Sequence, residues 1–220
     1  MKVISANLGI ISLFSTVFCI SSKEQAAIAR VLVSNDTEIA SLATIQRAYS
    51  WDESDGFPFS SPEMFVDDNC LPNPKGDIYF FLIDWGVHAK NIYANPKISM
   101  SFRDLTLYDE SKASEQDKKK FIKNGWADTK RLTLEGTAKK VDPSSTEFKL
   151  AKECYIKKYP VIKNWYSPDE KTGHGQTDFV PFKLEVKYVR YIGGFGIAGW
   201  IPLEYYQSKD DSDKFIDDSL

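Results

Sequence analysis

The spacing with the plainest chemical suggestion is Gly194-Phe195-Gly196-Ile197-Ala198-Gly199, which matches the G-x-G-x-x-G of a loop that carries backbone amides up to a dinucleotide pyrophosphate. That chemistry needs a helix starting directly after the loop, so that its N-terminus faces the phosphates. Pro202 follows three residues later and there is no second strand–helix unit, so the run is read as a tight turn with closely packed backbone. Nucleophilic and metal chemistry fare no better. There are two histidines, His88 and His174. His174, between Gly173 and Gly175, has the setting of an exposed loop residue. The sequence has no Gly-x-Ser-x-Gly elbow and no Cys-x-x-Cys or Cys/His cluster of the kind zinc requires. Carboxylates are plentiful but scattered, and none marks an acid–base pair. No metal site and no catalytic residue are assigned.

The N-terminus and the cysteines say more about compartment than about chemistry. Lys2 precedes an apolar run from Leu8 to Ile20, closed by Ser21 and Ser22, which is the order of a secretory signal peptide. The run is shorter than the roughly 20 apolar residues a membrane-spanning helix needs. Residues 1–22 are therefore expected to be removed, leaving a secreted or endomembrane-lumen protein, vacuole and lysosome included, with no stable membrane span. Cys19 leaves with the signal. Cys70 and Cys154 remain, either as a disulfide suited to an oxidising compartment or as two separate buried thiols. Asn35-Asp36-Thr37 is a glycosylation sequon, which in a secreted chain places Asn35 at the surface.

The elements that would position any site come from composition and periodicity. Hydrophobic residues make up 42% of the chain and aromatics 14%, enough for a large core in one domain. The formal charge is -3, from 28 basic and 31 acidic residues. With no basic excess to neutralise phosphates, nucleic-acid binding is excluded. Lys23 to Ser34 has helical spacing of Ile28, Val31 and Leu32. Strands are expected at Leu42–Ile45, at Gly56–Val66 (made irregular by Pro58 and Pro62), at Ile78–Ile83, at Ile98–Phe102 where alternation is clear, at Arg131–Val141 and at Phe179–Ile192. A short helix from Val87 to Tyr93 stops at Asn95-Pro96. A second helix is expected from Asp142-Pro143, with Ser144 and Glu147 at capping-box spacing, to Tyr159. Asp109 to Lys120, with its run Lys118-Lys119-Lys120, has the character of a solvated loop, and the acidic tail after 206 that of a disordered one. Six strands broken by two or three helices do not alternate as βαβ units. The fold class is therefore mainly β, an antiparallel barrel with a few peripheral helices.

The segment Ile83-Asp84-Trp85-Gly86-Val87-His88-Ala89-Lys90-Asn91-Ile92-Tyr93-Ala94-Asn95-Pro96-Lys97-Ile98-Ser99-Met100 resembles the pyridoxamine-phosphate-oxidase-like split barrels, in which a strand, a His-x-Lys/Arg-Asn helix and an Asn/Asp-Pro-x-x-Ser strand start follow in this order. Further stretches resemble the CREG (cellular repressor) glycoproteins within that superfamily. They are Glu24–Arg30 leading to Ser41–Ile45, Gly56–Ser61, Leu134–Ala138 and Pro202–Tyr206. The similarity covers about residues 24 to 206, and a domain over 23–206 is expected. The resemblance implies a homodimer of split barrels with a cleft between subunits, where relatives bind FMN. By motif position, Ser61, His88, Lys90 and Asn91 are the candidate cofactor-binding residues. This chain departs from many flavin binders at Ile83 and Ala89, where they carry hydroxyls. The loss of two donors amounts to about 1–3 kcal/mol each. The resemblance thus implies a glycoprotein that acts by binding, with a weak or lost cofactor site, or alternatively an FMN-dependent oxidoreductase.

Overall fold

The computed structural model describes residues 20–47, 53–104, 129–165, 179–194 and 197–208, together with 114, 115 and 119. The expected signal segment up to Cys19, most of Asp109–Lys120, His174 and the tail beyond residue 208 lie outside these residues. Eight strands form one antiparallel sheet: β1 (Ile39–Ile45), β2 (Pro58–Met64), β3 (Val66–Asp67), β4 (Ile78–Ile83), β5 (Lys97–Arg103), β6 (Arg131–Lys140), β7 (Phe179–Gly194) and β8 (Ile197–Ile201). The order across the sheet is β2-β1-β5-β6-β7-β4-β3, with β8 paired to β7. The two outermost strands, β2 and β3, are consecutive in the chain and separated only by Phe65, which is fully buried. The sheet therefore curls until its ends meet, giving a split barrel.

Side chains alternate as the register demands. Ala40, Leu42, Met100, Phe102, Leu132, Leu134, Leu184 and Val189 point into the barrel and are buried. Phe65 meets Phe102 edge-on at 4.9 Å, and Phe80 stacks on Phe182 at 5.8 Å, geometries that favour aromatic pairs. The expected unbroken apolar run of β4 has a simple reason. Ile78, Phe80 and Leu82 face the barrel core, while Tyr79 and Phe81 face a second core beneath helix α3 (Thr146–Lys158). At Gly136, beside a register shift in β6, a Cβ would run into the Glu185 carbonyl and the Leu184 side chain. Only glycine lets the two strands approach there.

Four α-helices lie among the described residues. Helix α1 (Ser22–Val31) opens with a capping box of Ser21 and Glu24 and widens into a π turn at Leu32–Asp36. Helix α2 (Val87–Ala94) ends at Asn95-Pro96 as expected. Helix α3 begins later than the sequence suggests. Asp142 accepts from the Ser144 amide and hydroxyl and orders a turn, and the cap is Ser145, whose hydroxyl accepts from the Phe148 amide at 3.0 Å. One strand and one α-helix were not anticipated: β8, within the glycine-rich stretch, and α4 (Leu203–Gln207). Gly194 ends β7 and Ile197–Gly199 lie in β8, so the described residues of the G-x-G-x-x-G belong to two paired strands rather than to the start of a helix.

Buried charge ties the ends of the domain together. Asp68 accepts from the backbone amides of Lys75, Gly76 and Asp77 at 2.5, 3.0 and 3.1 Å, and pairs with Arg30 of α1 at 3.4 Å. The Arg30 guanidinium lies 5.4 Å from the ring of Tyr206 in α4. Gly76 has a φ of 82°, and a Cβ there would strike both Arg30 and Tyr206, so this turn requires glycine. Next to it, Cys70 is bonded to Cys154 of α3, with an S–S distance of 2.12 Å. Asn35 is exposed, whereas Thr37 of the sequon is buried and its hydroxyl donates to the Arg103 carbonyl at 3.1 Å.

Candidate functional site

Strand pairing and one helix face assemble the site. On β2, alternation directs Phe59, Ser61 and Glu63 to the inner side while Pro58, Ser60 and Pro62 stay exposed. On β1 the inner residues are Ala40, Leu42 and Thr44. Helix α2 packs across this hairpin, burying His88, Ala89, Asn91 and Ile92, which are neighbours at the i, i+3 and i+4 spacing of a helix. Lys90 lies off that face and is half-buried. Three of the four candidates, Ser61, His88 and Asn91, therefore come together, and Lys90 does not join them. Ala89 is fully buried in the core, and Ile83 is partly exposed at the end of β4.

Five side chains are linked in one continuous chain of hydrogen bonds. The Arg47 amide donates to Asn91 Oδ1 at 3.2 Å. This backbone donor fixes the orientation of the Asn91 amide, whose Nδ2 donates to Thr44 Oγ1 at 3.0 Å. Thr44 Oγ1 lies 2.9 Å from His88 Nδ1, and His88 Nε2 lies 2.8 Å from Ser61 Oγ. Ser61 Oγ in turn donates to Glu63 Oε1 at 3.0 Å. With an amide donor at one end and a carboxylate at the other, one direction satisfies every group. Thr44 donates to Nδ1, the Nε2–H donates to Ser61, and Ser61 donates to Glu63. The imidazole is thus assigned as the Nε2–H tautomer from its partners.

Burial sets the electrostatics. His88 is 5% exposed, and desolvation lowers its pKa from 6.5 to about 4, because a buried imidazolium loses its hydration. Burial pushes the Glu63 carboxyl above its ordinary value, while the Ser61 hydrogen bond pulls the other way. Phe59 covers the imidazole with ring centroids 4.8 Å apart. The Ser61–His88 contact has the length of a nucleophile–base pair. Its polarity is wrong for that role, because the imidazole presents a proton rather than a lone pair to the hydroxyl.

A flavin phosphate is held by fixed donors together with positive charge. Here every donor has a partner within the chain, the imidazole is neutral at ordinary pH, and the exposed end of the cluster is a carboxylate. With Glu63 in place, the cluster presents a phosphate with neither a free donor nor positive charge. Glu63 and Thr44 were missed from sequence, although strand alternation places Glu63 on the same side as Ser61 and Thr44 on the inner side of β1. Among the described residues no group of three or more His, Cys, Asp or Glu could hold a metal ion, and no helix is long and apolar enough to cross a membrane.

Residues 21–208 match the protein family described as CREG, beta-barrel. A search of curated proteins gave no match. Among solved structures, the chain is similar to a heme binding protein from Mycobacterium smegmatis, with 21% identity, a TM-score of 0.59 and coverage of 87% of this chain and 62% of that one. It is also similar to ChuZ from Campylobacter jejuni, at 23% identity and a TM-score of 0.53, covering 83% of this chain and 60% of that one. A protein of unknown function from Agrobacterium tumefaciens, at 24% identity and TM-score 0.53, is covered over 57% of its length by 78% of this chain. The chain spans less than two thirds of each of these three proteins. At such identities the likeness concerns the split-barrel fold.

Proposed function

This chain belongs to the CREG β-barrel family, and we propose that within it the protein acts by binding, in a secreted or lumenal setting, without flavin-dependent chemistry. The observation that carries this reading is the self-contained hydrogen-bond chain from the Arg47 amide to Glu63. It uses up the groups that a phosphate-bearing cofactor would need and ends in negative charge. The same chain counts against a heme iron at His88, since both ring nitrogens are engaged. The Cys70–Cys154 disulfide supports an oxidising compartment, and exposed Asn35 is available to carry a glycan.

The partner surface is the outer side of β7 and β8. Tyr188 and Trp200 are 60% and 58% exposed, their rings lie 6.3 Å apart, and Arg190 covers Trp200 at 5.8 Å. Tyr, Trp and Arg are the residue types enriched at the centres of protein interfaces. We assign this face to a second copy of the chain. Light scattering on purified protein should return a dimer mass, and Trp200→Glu should return a monomer.

Absorbance spectroscopy tests the central claim. Purified protein should be colourless near 450 nm (roughly the flavin band) and should take up no added FMN at neutral pH. A yellow preparation that loses its colour in Lys90→Ala would overturn the reading in favour of an FMN oxidoreductase. N-terminal sequencing of secreted material should begin near Lys23, and an intact Met1 would refute processing.

A further inference from the structure

Resting on that reading, we propose that Glu63 is a resident anion, occupying the acceptor end of the Ser61–His88 chain where a phosphate monoester would otherwise bind, and that this residue excludes such ligands from the barrel. The geometry is specific. Glu63 Oε1 is 3.0 Å from Ser61 Oγ and 3.8 Å from His88 Nε2, so the carboxylate lies within reach of both groups at this end of the chain. An ionised phosphate oxygen accepts and never donates, and so it matches the one proton the chain presents at this end, that of the Ser61 hydroxyl. The Glu63 side chain is 27% exposed and the His88 side chain 6%. The carboxylate is therefore the solvent-exposed end of the chain and the imidazole its buried part.

Its placement is enforced by the strand. Glu63 pairs with Ala40 and Ser61 with Leu42 in the β1–β2 register, so both inner side chains are carried on a paired backbone. The neighbouring cation of α3 is committed elsewhere: Lys158 Nζ donates to the Thr37 carbonyl at 3.1 Å and lies 3.9 Å over the Phe65 ring. An incoming phosphate would therefore meet like charge at contact distance, with no counter-charge from this lysine. Removing the carboxylate frees the Ser61 hydroxyl proton as well as lifting the like charge, so affinity for an anion should rise.

The experiment compares the wild-type protein with Glu63→Ala and Glu63→Gln, using inorganic phosphate and FMN as probes in calorimetric titrations at neutral pH. Wild-type protein is expected to bind neither. Glu63→Ala should bind both, with phosphate competing against FMN and at least about a tenfold gain in affinity over wild type. Glu63→Gln should gain less, since its amide oxygen still accepts from Ser61, and adding Ser61→Ala to Glu63→Ala should abolish the gain. Variants that keep the wild-type thermal transition and still take up no phosphate would overturn this inference and leave the proposed function standing. Uptake of FMN by wild-type protein would overturn both. Should the variants fold poorly, 15N NMR of His88 in the wild-type protein decides the matter: an Nε2–H tautomer is expected, and an Nδ1–H tautomer refutes the chain polarity on which the inference depends.

Discussion

Asp68 and His88 are almost equally inaccessible, at 4% and 5% exposure, yet their surroundings differ in kind. Asp68 is met by a guanidinium and three backbone amides. His88 is met by two hydroxyls and an aromatic ring. The first cluster places opposite charges together and fastens the N-terminal helix, the 68–77 turn and the C-terminal helix to one another. The second avoids charge, and its polarity runs outward to the half-buried Glu63. A buried charge is tolerable when paired and hydrogen-bonded, whereas desolvation holds the His88 imidazole neutral even with the Glu63 carboxylate 3.8 Å from Nε2. The lesson is that equal burial can be satisfied in opposite ways, by opposite charges or by a neutral relay of hydrogen bonds. The cluster that carries the family's motif residues is internally satisfied, and the one with no motif pairs buried opposite charges.

The comparison breaks most visibly if the charged cluster proves dispensable. Asp68→Ala leaves Arg30 buried without its partner and three amides without an acceptor, and should cost about 5 kcal/mol or more. Chemical denaturation measures this, and a loss below about 1 kcal/mol would contradict the account. Just below it stands the adjacent disulfide, which closes a loop of sequence separation 84. Replacing both cysteines by serine should remove about 4.6 kcal/mol on the chain-entropy model, again read by denaturation.

The neutral cluster makes its prediction through pH. The folded-state pKa of His88 is depressed to about 4 from 6.5, so the folded protein binds fewer protons than the unfolded chain between those values. His88's contribution is therefore intact above pH 6.5 and lost as pH falls toward 4, by up to about 3 kcal/mol. Glu63 has the opposite sign, its raised pKa favouring the folded state on acidification, and it offsets part of the loss. Thermal melts across this window should show the decline, and His88→Gln should flatten it. Thr44→Val, which strands the Asn91 amide and His88 Nδ1, should cost about 1–2 kcal/mol. Lys90→Ala should shift the melting transition least, within about 0.5 kcal/mol, because Lys90 lies outside the chain.

Much of the barrel was legible in the sequence for physical reasons. Ile98-Ser99-Met100-Ser101-Phe102 alternates because β5 has one face in the core, and Asn95-Pro96 ends α2 because proline restricts its predecessor. The cap of α3 went to Ser145 rather than to the Asp142-Pro143-Ser144 run, since neighbouring Asp and Ser residues compete for the same amides. Strand β8 was hidden because its glycines and exposed tryptophan blur any alternation. At the site, resemblance supplied Ser61, His88 and Asn91. It also suggested Lys90, which the 3.6-residue period of α2 turns away from His88 and Asn91. What the sequence could not convey is the direction of the hydrogen bonds, which is imposed by a backbone amide at Arg47 and a carboxylate two residues beyond Ser61.

Phe65 has a mechanical consequence. As the one residue between the two rims of the sheet, it is the seam of the roll. A nick between Met64 and Phe65 would free both rims without removing a single atom of the core. The unrolled sheet would then offer the outer edges of β2 and β3 to neighbouring molecules, a state prone to edge-to-edge aggregation.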